Sequence, residues 1–442
     1  MMKSPAIRSN ALSSCLDHLD AISTMRWWGR IIKANGQMVE SEGPFCAVGE
    51  CCQVLSGTGQ AYEGEVVGFR GPTVLSMTLR KVEGVRYGDR ITTWGARPGI
   101  RVGEGLIGRV IDGSGQPIDS GPPIHAERKW PLHCSPPKPL ERVPVREPMG
   151  CGVRAIDGLI TAGRGQRLGI FGGSGVGKST LIGMMARGSS ADIIVLALVG
   201  ERGREVGEFL EKALGPEGMR RSVVVASTSD RPPLLRIRAA LAASSVAEYF
   251  CSRGKNVLLV VDSLTRVAMA QREIGLAAGE PPTSRGYTPS VFTLLAGLIE
   301  RAGRFASGSI TGFYTVLMEG DDQQDPLVDA VRALLDGHIV LDRRLNMQSH
   351  FPPISVLDSL SRLMSSVCSA EHLEKARRLR KLLAAFAASE DLVRVGAYQK
   401  GLDPDLDRAL EILPALNAYL QQKTGESVTF DQSVAALMAL PA

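Results

Sequence analysis

The chain has 442 residues, 44% hydrophobic and 22% charged, a composition typical of folded proteins and unlike that of disordered or collagen-like chains. This length predicts two or three domains. The formal net charge of +5 is too small over such a length to indicate a nucleic acid or an acidic membrane, so we expect no nucleic-acid partner.

The cysteine and apolar patterns concern the compartment. Eight cysteines occur without a CxxC pair or a histidine cluster at metal-ligand spacing, which favours reduced thiols. The strongest apolar run, residues 193–199, is far shorter than the roughly 20 residues of a membrane helix. Asp17, His18 and Asp20 interrupt the region where a signal peptide would have its apolar core. We therefore expect a cytoplasmic protein.

Residues 1–24 are predicted to form an N-terminal helical segment. Leucines and isoleucine recur at helical spacing and form one apolar stripe, at Leu12, Leu16, Leu19 and Ile22. The stripe either packs on its own domain or docks a partner protein, and the sequence leaves both open.

Residues 25–95 are predicted to form a small β-barrel. Short β-branched stretches such as Val66-Val67 alternate with frequent glycines, which is the pattern of short strands joined by tight turns. Nine prolines between Pro117 and Pro148 then disfavour regular structure and indicate an extended connection over a surface.

Residues 96–365 are predicted to be an α/β domain of the P-loop type. Apolar strand runs at 167–171, 193–199, 223–226, 257–261 and 311–317 alternate with helical patterns, which indicates a parallel sheet covered by helices. In residues 366–442, Leu373, Ala376, Leu379 and Leu382 keep helical spacing, and we expect a helical C-terminal domain.

The strongest motif lies at residues 172–179, GGSGVGKS, which matches G-x-x-x-x-G-K-[ST] between a predicted strand and a predicted helix. Its glycines allow backbone N–H groups to surround phosphates at a helix N-terminus. Lys178 adds a positive charge and Ser179 can ligate magnesium. The alternative, a chance glycine-rich turn, does not account for the full match in this context.

Two acidic residues follow other predicted strands. Asp262 ends the run 257–261, where a carboxylate could hold magnesium, or could merely cap the next helix. Glu201 follows the strand 193–199 and could polarise the attacking water, with Arg202 sensing the γ-phosphate. The alternative for this pair is an ion cluster in a surface loop.

Several segments resemble the ATPase of bacterial type III protein export, which is similar to the catalytic β subunit of rotary ATP synthases. The matching segments are GSGVGKST at 173–180, GERGREV at 200–206, MAQREI at 269–274, GEPPT at 279–283 and EGDDQQDP at 319–326. The resemblance runs from about residue 25 to the end. It implies an N-terminal barrel, a RecA-like P-loop nucleotide-binding domain and a C-terminal helical domain, assembled into a homo-oligomeric ring, expected to be a hexamer.

The resemblance also assigns roles residue by residue for ATP and Mg²⁺. It implies nucleotide binding by the phosphate loop, at Gly173, Ser174, Gly175, Val176, Gly177, Lys178, Ser179 and Thr180. It implies that Ser179 and Asp262 hold the metal, that Glu201 is the base, and that Arg202 lies near the γ-phosphate. Arg362, in DSLSR, matches the arginine that such rings insert into the neighbouring site. Phe351 stands where the family often has a tyrosine that stacks on adenine, and Tyr398 is assigned the other side of the base.

The same resemblance implies a motor subunit that energises export from the cytoplasmic face of the inner membrane. The implied partners are chaperone–substrate complexes, an export gate at the membrane, a central stalk-like protein, and a regulatory protein on the N-terminal helix. Gln323-Gln324-Asp325 resembles the flagellar form, whereas a virulence-type system stays an alternative. Two rivals are a hexameric RNA translocase, which would need aromatic platforms near Trp27-Trp28, and a non-catalytic nucleotide-holding subunit, which the acid at Glu201 disfavours.

Overall fold

The computed structural model describes residues 26–318 and 325–441. The predicted N-terminal helix, and residues 319–324 of the EGDDQQDP segment, lie outside the described residues. The described residues divide into two compact units: the first contains the residues up to Pro98 together with Leu276–Gly279, and the second contains the rest.

The first unit is a closed antiparallel barrel, as the glycine-broken strand pattern predicted. Its strands follow the order β1-β2-β5-β4-β3-β6. They are β1 Trp27–Asn35, β2 Met38–Glu42, β3 Cys51–Leu55, β4 Ala61–Arg70, β5 Thr73–Thr78 and β6 Arg90–Thr93. Alternate residues such as Cys52 and Val54 point into a core that also contains Ile31 and Tyr62. Closure pairs every strand on both sides and leaves the barrel without a free edge.

Three short strands follow the barrel, β7 Gly99–Val102, β8 Val110–Ile111 and β9 Arg128–Pro131. Only β9 lies within the proline-rich stretch 117–148, where it pairs antiparallel with β7, so that stretch contains one strand where its prolines predicted none. Within the second unit, a buried ion pair holds this stretch against the helices: Arg301 Nε lies 2.6 Å from Glu248 Oε1, and Arg301 Nη1 donates to Leu132 O over 2.8 Å. Trp130 Nε1 donates to the other oxygen of Glu248 over 3.0 Å.

The second unit contains a nine-stranded sheet within the described residues. Its strands follow the order β17-β16-β10-β15-β13-β11-β12-β8, and β14 pairs only with β15. They are β10 Arg167–Gly172, β11 Ile193–Val199, β12 Ser222–Ser227, β13 Asn256–Asp262, β14 Gly303–Arg304, β15 Ser309–Leu317, β16 Gly337–Leu341 and β17 Ile354–Ser361. All neighbours are parallel except β17 and β14. Nearly every residue of the central strands is buried, which explains their continuous apolar runs.

Helices cover this sheet, in agreement with the predicted α/β class. They are α1 Arg154–Leu159, α2 Lys178–Gly188, α3 Gly203–Glu208, α4 Gly215–Met219, α5 Pro233–Ser252, α6 Leu264–Ala278, α7 Pro289–Ile299, α8 Pro326–Leu334, α9 Arg343–Met347 and α10 Met364–Val367. A π-helical segment, Phe209–Leu214, joins α3 to α4. Across residues 26–318 and 325–441, no helix has the length and apolar character of a membrane span.

Three further helices complete the chain, as predicted: α11 Ala370–Arg394, α12 Pro404–Leu420 and α13 Phe430–Met438. They pack on α1 through buried polar contacts. His372 Nε2 lies 2.7 Å from Gly158 O, and the Tyr419 hydroxyl donates to Arg154 O over 3.0 Å. The buried carboxylate of Asp157 accepts from the backbone N–H groups of Cys151 and Gly152, and burial raises its pKa to about 7. The helices are therefore joined directly to the segment that leads into β10.

Candidate active site

The phosphate loop joins β10 to α2 as the motif predicted. Gly175 and Gly177 have φ angles of 77° and 107°, which side chains other than glycine rarely adopt. The following helix is 11 residues long, so its first N–H groups face the loop and favour an anion. Asn346 Nδ2 donates to Val176 O over 3.1 Å and fastens the loop from the side of α9.

Parallel pairing brings the ends of four strands to one edge of the sheet. The register pairs Phe171 with Val316, Val261 with Tyr314, and Leu198 with Asp262. Ligands bind at the carboxyl ends of parallel strands. A cavity of about 680 Å³ opens at this edge. Its walls include most of the predicted residues, namely Ser174, Gly175, Lys178, Ser179, Thr180, Glu201, Arg202 and Asp262.

Lys178 and Asp262 form the buried floor of the cavity, with 8% and 5% of their surfaces exposed. Lys178 Nζ donates to Gly172 O over 3.3 Å. Burial lowers the pKa of Lys178, although the carboxylates of Asp262 and Glu201 oppose that shift. Burial raises the pKa of Asp262, and this is opposed by the Thr315 hydroxyl, which donates to Oδ1 over 2.6 Å, and by Lys178.

Glu201 lies just beyond the end of β11, half-buried beside the same floor. Burial raises its pKa to about 7, and the neighbouring Asp262 adds to the shift. A carboxylate with its pKa near neutrality can accept a proton from water and release it again. Arg202 also lines the cavity, although 77% of its side chain is exposed, and its Nη1 lies 3.6 Å from Glu205 Oε1.

Several charged cavity residues were missed by the sequence reasoning, among them Arg266 and Glu205. Arg266 stands on the first turn of α6, four residues after Asp262, and its charge lowers the pKa of both Glu201 and Asp262. A Cβ on Gly200 would lie 2.9 Å from Arg266 Cβ, so the glycine leaves room for the arginine. The helical offset from Asp262 was the available signal, since it places both residues at the same strand end.

The cavity has the donor set that magnesium prefers. Mg²⁺ takes oxygen ligands, commonly a hydroxyl, one or two carboxylates and substrate phosphates. The exposed Ser179 hydroxyl and the carboxylates of Asp262, Glu201 and Glu205 all face this one cavity. The residues present therefore fit the ion.

Phe351 and Tyr398 do not line this cavity. The segment of Phe351 runs beside the phosphate loop, as shown by Pro353, which a Cβ on Gly177 would approach to 3.9 Å. The backbone oxygen of Phe351 accepts a hydrogen bond from Gln422 N, just after α12. The Tyr398 hydroxyl instead donates to Asp407 Oδ1 over 2.8 Å, in the first turn of α12. Asp407 lies in the first turn of α12 and Gln422 lies two residues beyond its end, so these contacts tie Tyr398 and Phe351 to opposite ends of the helix. Their joint role at adenine stays a prediction.

Arg362 is exposed and lies at the opposite end of the sheet from the cavity. Its backbone N–H donates to Asp336 O over 3.0 Å, and Asp336 N donates in turn to Arg167 O over 2.9 Å. Arg167 begins β10, whereas the phosphate loop follows its last residue, Gly172. Five residue steps along a strand span about 17 Å. The sheet edge that carries Arg362 is therefore not the edge that binds phosphate in the same chain.

This fold and cavity define a P-loop nucleotide-binding protein of the ATP synthase type. The model of the ATP synthase alpha/beta family nucleotide-binding domain matches residues 152–361, and that of the T3SS EscN ATPase C-terminal domain matches residues 368–439. The flagellum-specific ATP synthase of Bacillus subtilis is 47% identical over 97% of this chain and 98% of its own length. The type 3 secretion system ATPase of Xanthomonas euvesicatoria is 44% identical over 96% of each chain. The chain thus belongs to the family of flagellar and type III secretion ATPases.

Solved structures agree with this assignment. The assembled ATPase EscN from the type III secretion system of enteropathogenic E. coli has a TM-score of 0.87 and 45% identity, over 92% of this chain and 98% of that chain. A second structure shows assembled EscN in complex with its central stalk EscO, with a TM-score of 0.85 and 44% identity over 92% of this chain and 98% of that chain. The predicted order of barrel, nucleotide-binding domain and C-terminal helices is confirmed.

Proposed function

We propose that this chain is the ATP-hydrolysing motor subunit of a type III protein export apparatus, and specifically of the flagellar one. The observation that carries the proposal is the convergence of Lys178, Asp262 and Glu201 on one cavity beside a glycine-shaped phosphate loop. A phosphate loop alone binds nucleotide, whereas hydrolysis also needs acids that organise metal and water.

In this proposal the chain's own residues divide the work. Lys178 and the loop N–H groups hold the phosphates, and Arg266 and Arg202 add positive charge where the γ-phosphate would lie. Glu201 orients the attacking water and takes its proton. Bound through Ser179 and Asp262, Mg²⁺ would offset negative charge on the phosphate oxygens. Phe351 offers an aromatic face beside the loop for adenine.

The site is proposed to be completed by a second copy of the chain. Arg362 is exposed, and it lies at the sheet edge opposite its own phosphate loop. A head-to-tail ring, expected to be a hexamer, would bring it to the neighbour's cavity, where a guanidinium typically raises turnover about 10³- to 10⁵-fold. The assembled EscN structure supports this arrangement, and the complex of EscN with EscO supports a central stalk-like partner for this chain.

The wider cellular role extends this proposal. We expect the ring to lie on the cytoplasmic side of the inner membrane, to receive chaperone–substrate complexes and to act beside an export gate, with a regulatory protein on residues 1–24. The flagellar assignment is supported by relatives of that name at 47% to 49% identity in Bacillus subtilis and Treponema pallidum. The secretion-system relatives at 44% to 45% identity keep the virulence-type role as the second candidate.

A substitution at Glu201 tests the proposed activity. In Glu201→Gln, nucleotide binding should persist while ATP turnover falls about 10²- to 10⁴-fold, because only the proton acceptor is lost. Glu211→Gln, an exposed glutamate outside the cavity lining, is the matched control and should keep full turnover. Equal turnover of Glu201→Gln and the parent would contradict the role of Glu201, and only background turnover in both would favour the nucleotide-holding subunit. Export substrates that co-purify, filament proteins or virulence effectors, would separate the two systems.

A further inference from the structure

The backbone of Arg362 is tied to the strand that carries the phosphate loop. Asp336 makes the connection, because its carbonyl oxygen accepts from Arg362 N over 3.0 Å. Its carboxylate accepts from Arg167 N over 3.0 Å, from Arg167 Nε over 3.1 Å and from Arg167 Nη2 over 3.2 Å. A planar guanidinium that binds a carboxylate through two nitrogens fixes direction as well as distance.

A second, buried connection runs beside the first. Gln166 Nε2 donates to Asp336 O and to Ser361 Oγ, each over 3.0 Å. Ser361 Oγ donates in turn to Thr161 O over 2.7 Å. Gln166 is fully buried, so these bonds are shielded from water. The residues on both sides of Arg362's backbone hydrogen bond are thereby held to the segment that begins β10.

Close packing of two strands leaves this corner little freedom. A Cβ on Gly337 would lie 2.3 Å from Leu360 O and 3.0 Å from Ser361 Cα. Only glycine therefore allows β16 to approach the end of β17 this closely. The chain direction at Arg362 is set by backbone contacts, while the side chain itself stays exposed.

We propose that Asp336, held by Arg167 and Gln166, is a positioning residue that aims Arg362 at the neighbouring subunit's nucleotide. This inference rests on the proposed role of Arg362 in trans. Strand β10 carries one subunit's phosphate loop at its end and the Asp336 contacts at its start. A disturbance at Asp336 should therefore impair hydrolysis in the next subunit and spare nucleotide binding in its own.

Asp336→Asn is the direct test, because it keeps the shape of the side chain and leaves Arg167 paired with Glu300, 2.5 Å away. Steady-state turnover should fall about 10- to 100-fold, the usual effect of a misplaced catalytic group, with nucleotide affinity unchanged. Asp405→Asn, which removes an aspartate paired with Lys381 over 2.6 Å, is the matched control and should keep full turnover. If Asp336→Asn does not fold, Arg167→Lys tests the same contact. Loss of nucleotide affinity in a folded variant would overturn the proposal.

Mixed rings locate the defect. Tagged Asp336→Asn subunits are assembled with excess untagged Lys178→Ala subunits, whose sites are inactive but whose Arg362 is intact, and mixing is verified by recovery on the tag. Fluoroaluminate stands in for the transferring phosphoryl group, and the ADP trapped with it is counted per tagged subunit. Trapping reports each site by itself, so it does not require the sites of the ring to act in sequence. The positioning role predicts that trapping, weak in pure Asp336→Asn rings, is restored in the mixture.

Rings of Arg362→Ala mixed with Lys178→Ala separate this inference from the proposal on which it rests. If trapping is restored for Arg362→Ala but not for Asp336→Asn, the positioning role of Asp336 is overturned while the action of Arg362 on the neighbouring site still stands. Restoration for neither would overturn both. Restoration for both is the result expected here.

Discussion

Thr315 and Asp262 are joined by a buried 2.6 Å hydrogen bond from the threonine hydroxyl to Oδ1. The two residues lie on adjacent parallel strands, β15 and β13, whose register pairs Val261 with Tyr314. The contact therefore fixes one oxygen of a carboxylate that is only 5% exposed and that lines the cavity. A threonine outside the cavity lining thus holds the proposed metal-binding carboxylate in place.

Thr315→Val should weaken catalysis through Asp262. The substitution keeps the side-chain shape but removes a hydrogen bond to a charged group, which is worth about 1.5–3 kcal/mol. We expect kcat/KM for Mg-ATP to fall about 10- to 100-fold and the Mg²⁺ requirement to rise. Thr315→Ser retains the hydroxyl and should stay near the parent value. Steady-state kinetics over a Mg²⁺ series is the measurement, and an unchanged Mg²⁺ dependence in Thr315→Val would contradict the expected role.

Arg266→Gln should lower phosphate affinity as well as turnover. Arg266 is a half-buried cation that opposes the raised pKa of both Glu201 and Asp262. Its loss removes charge stabilisation of the phosphates, for which we expect kcat/KM to fall about 10²-fold. Arg394→Gln, at an exposed position on α11 and paired with Glu390 over 3.8 Å, is the control and should have little effect because surface ion pairs are weak. Equal kinetics for the two variants would argue against a role for Arg266.

Asp157→Asn should change how stability depends on pH. Burial raises the pKa of Asp157 from its ordinary value near 3.8 to about 7, so the folded state keeps a proton that the unfolded chain has released. The folded state then binds more protons between pH 4 and 7, and the stability contributed by this group is lost as pH rises through that window. The slope is at most about 1.4 kcal/mol per pH unit.

Urea unfolding at pH 5, 6, 7 and 8 checks this prediction. The free energy of unfolding of the parent should exceed that of Asp157→Asn most at pH 5, and the difference should shrink toward pH 8. Asp391→Asn, at an exposed position on α11, should run parallel to the parent. A constant difference between Asp157→Asn and the parent across the series would mean that Asp157 is ionised throughout.

Arg301→Met should destabilise the second unit strongly. Arg301 is 2% exposed and pairs with Glu248, so its removal leaves a largely buried carboxylate without its partner, at a cost of about 3–5 kcal/mol. Adding Glu248→Gln to Arg301→Met should recover part of that loss. Removing the exposed Lys381–Asp405 pair should cost less than about 1 kcal/mol. Chemical denaturation of these variants measures the differences in the free energy of unfolding. If Arg301→Met costs less than removal of the surface pair, Arg301 does not anchor this part of the second unit.

Local signals made much of the site predictable. The phosphate loop is one continuous segment, and Glu201 and Asp262 each follow an apolar run, so parallel strand ends implied that they meet. Arg266 was missed although it follows Asp262 by only four residues, whereas Asp336 gave no local signal because its contacts join distant segments. Sequence spacing likewise does not reveal that the Tyr398 hydroxyl binds Asp407 near the start of α12, and the role of Tyr398 at adenine stays a prediction. The strands β16 and β17 were missed because their runs of apolar residues are short and interrupted by polar residues.

Strand β10 has consequences for stoichiometry. If the start of β10 directs Arg362 toward a neighbour and its end holds the phosphates of bound nucleotide, each copy of the chain carries two complementary parts of a catalytic site. An open row of n copies then contains n − 1 complete catalytic sites and one incomplete part at each end. Closing the row into a ring creates one more complete site without adding protein. A dimer would be half competent per copy and a trimeric arc two-thirds, so activity per mole should report closure directly.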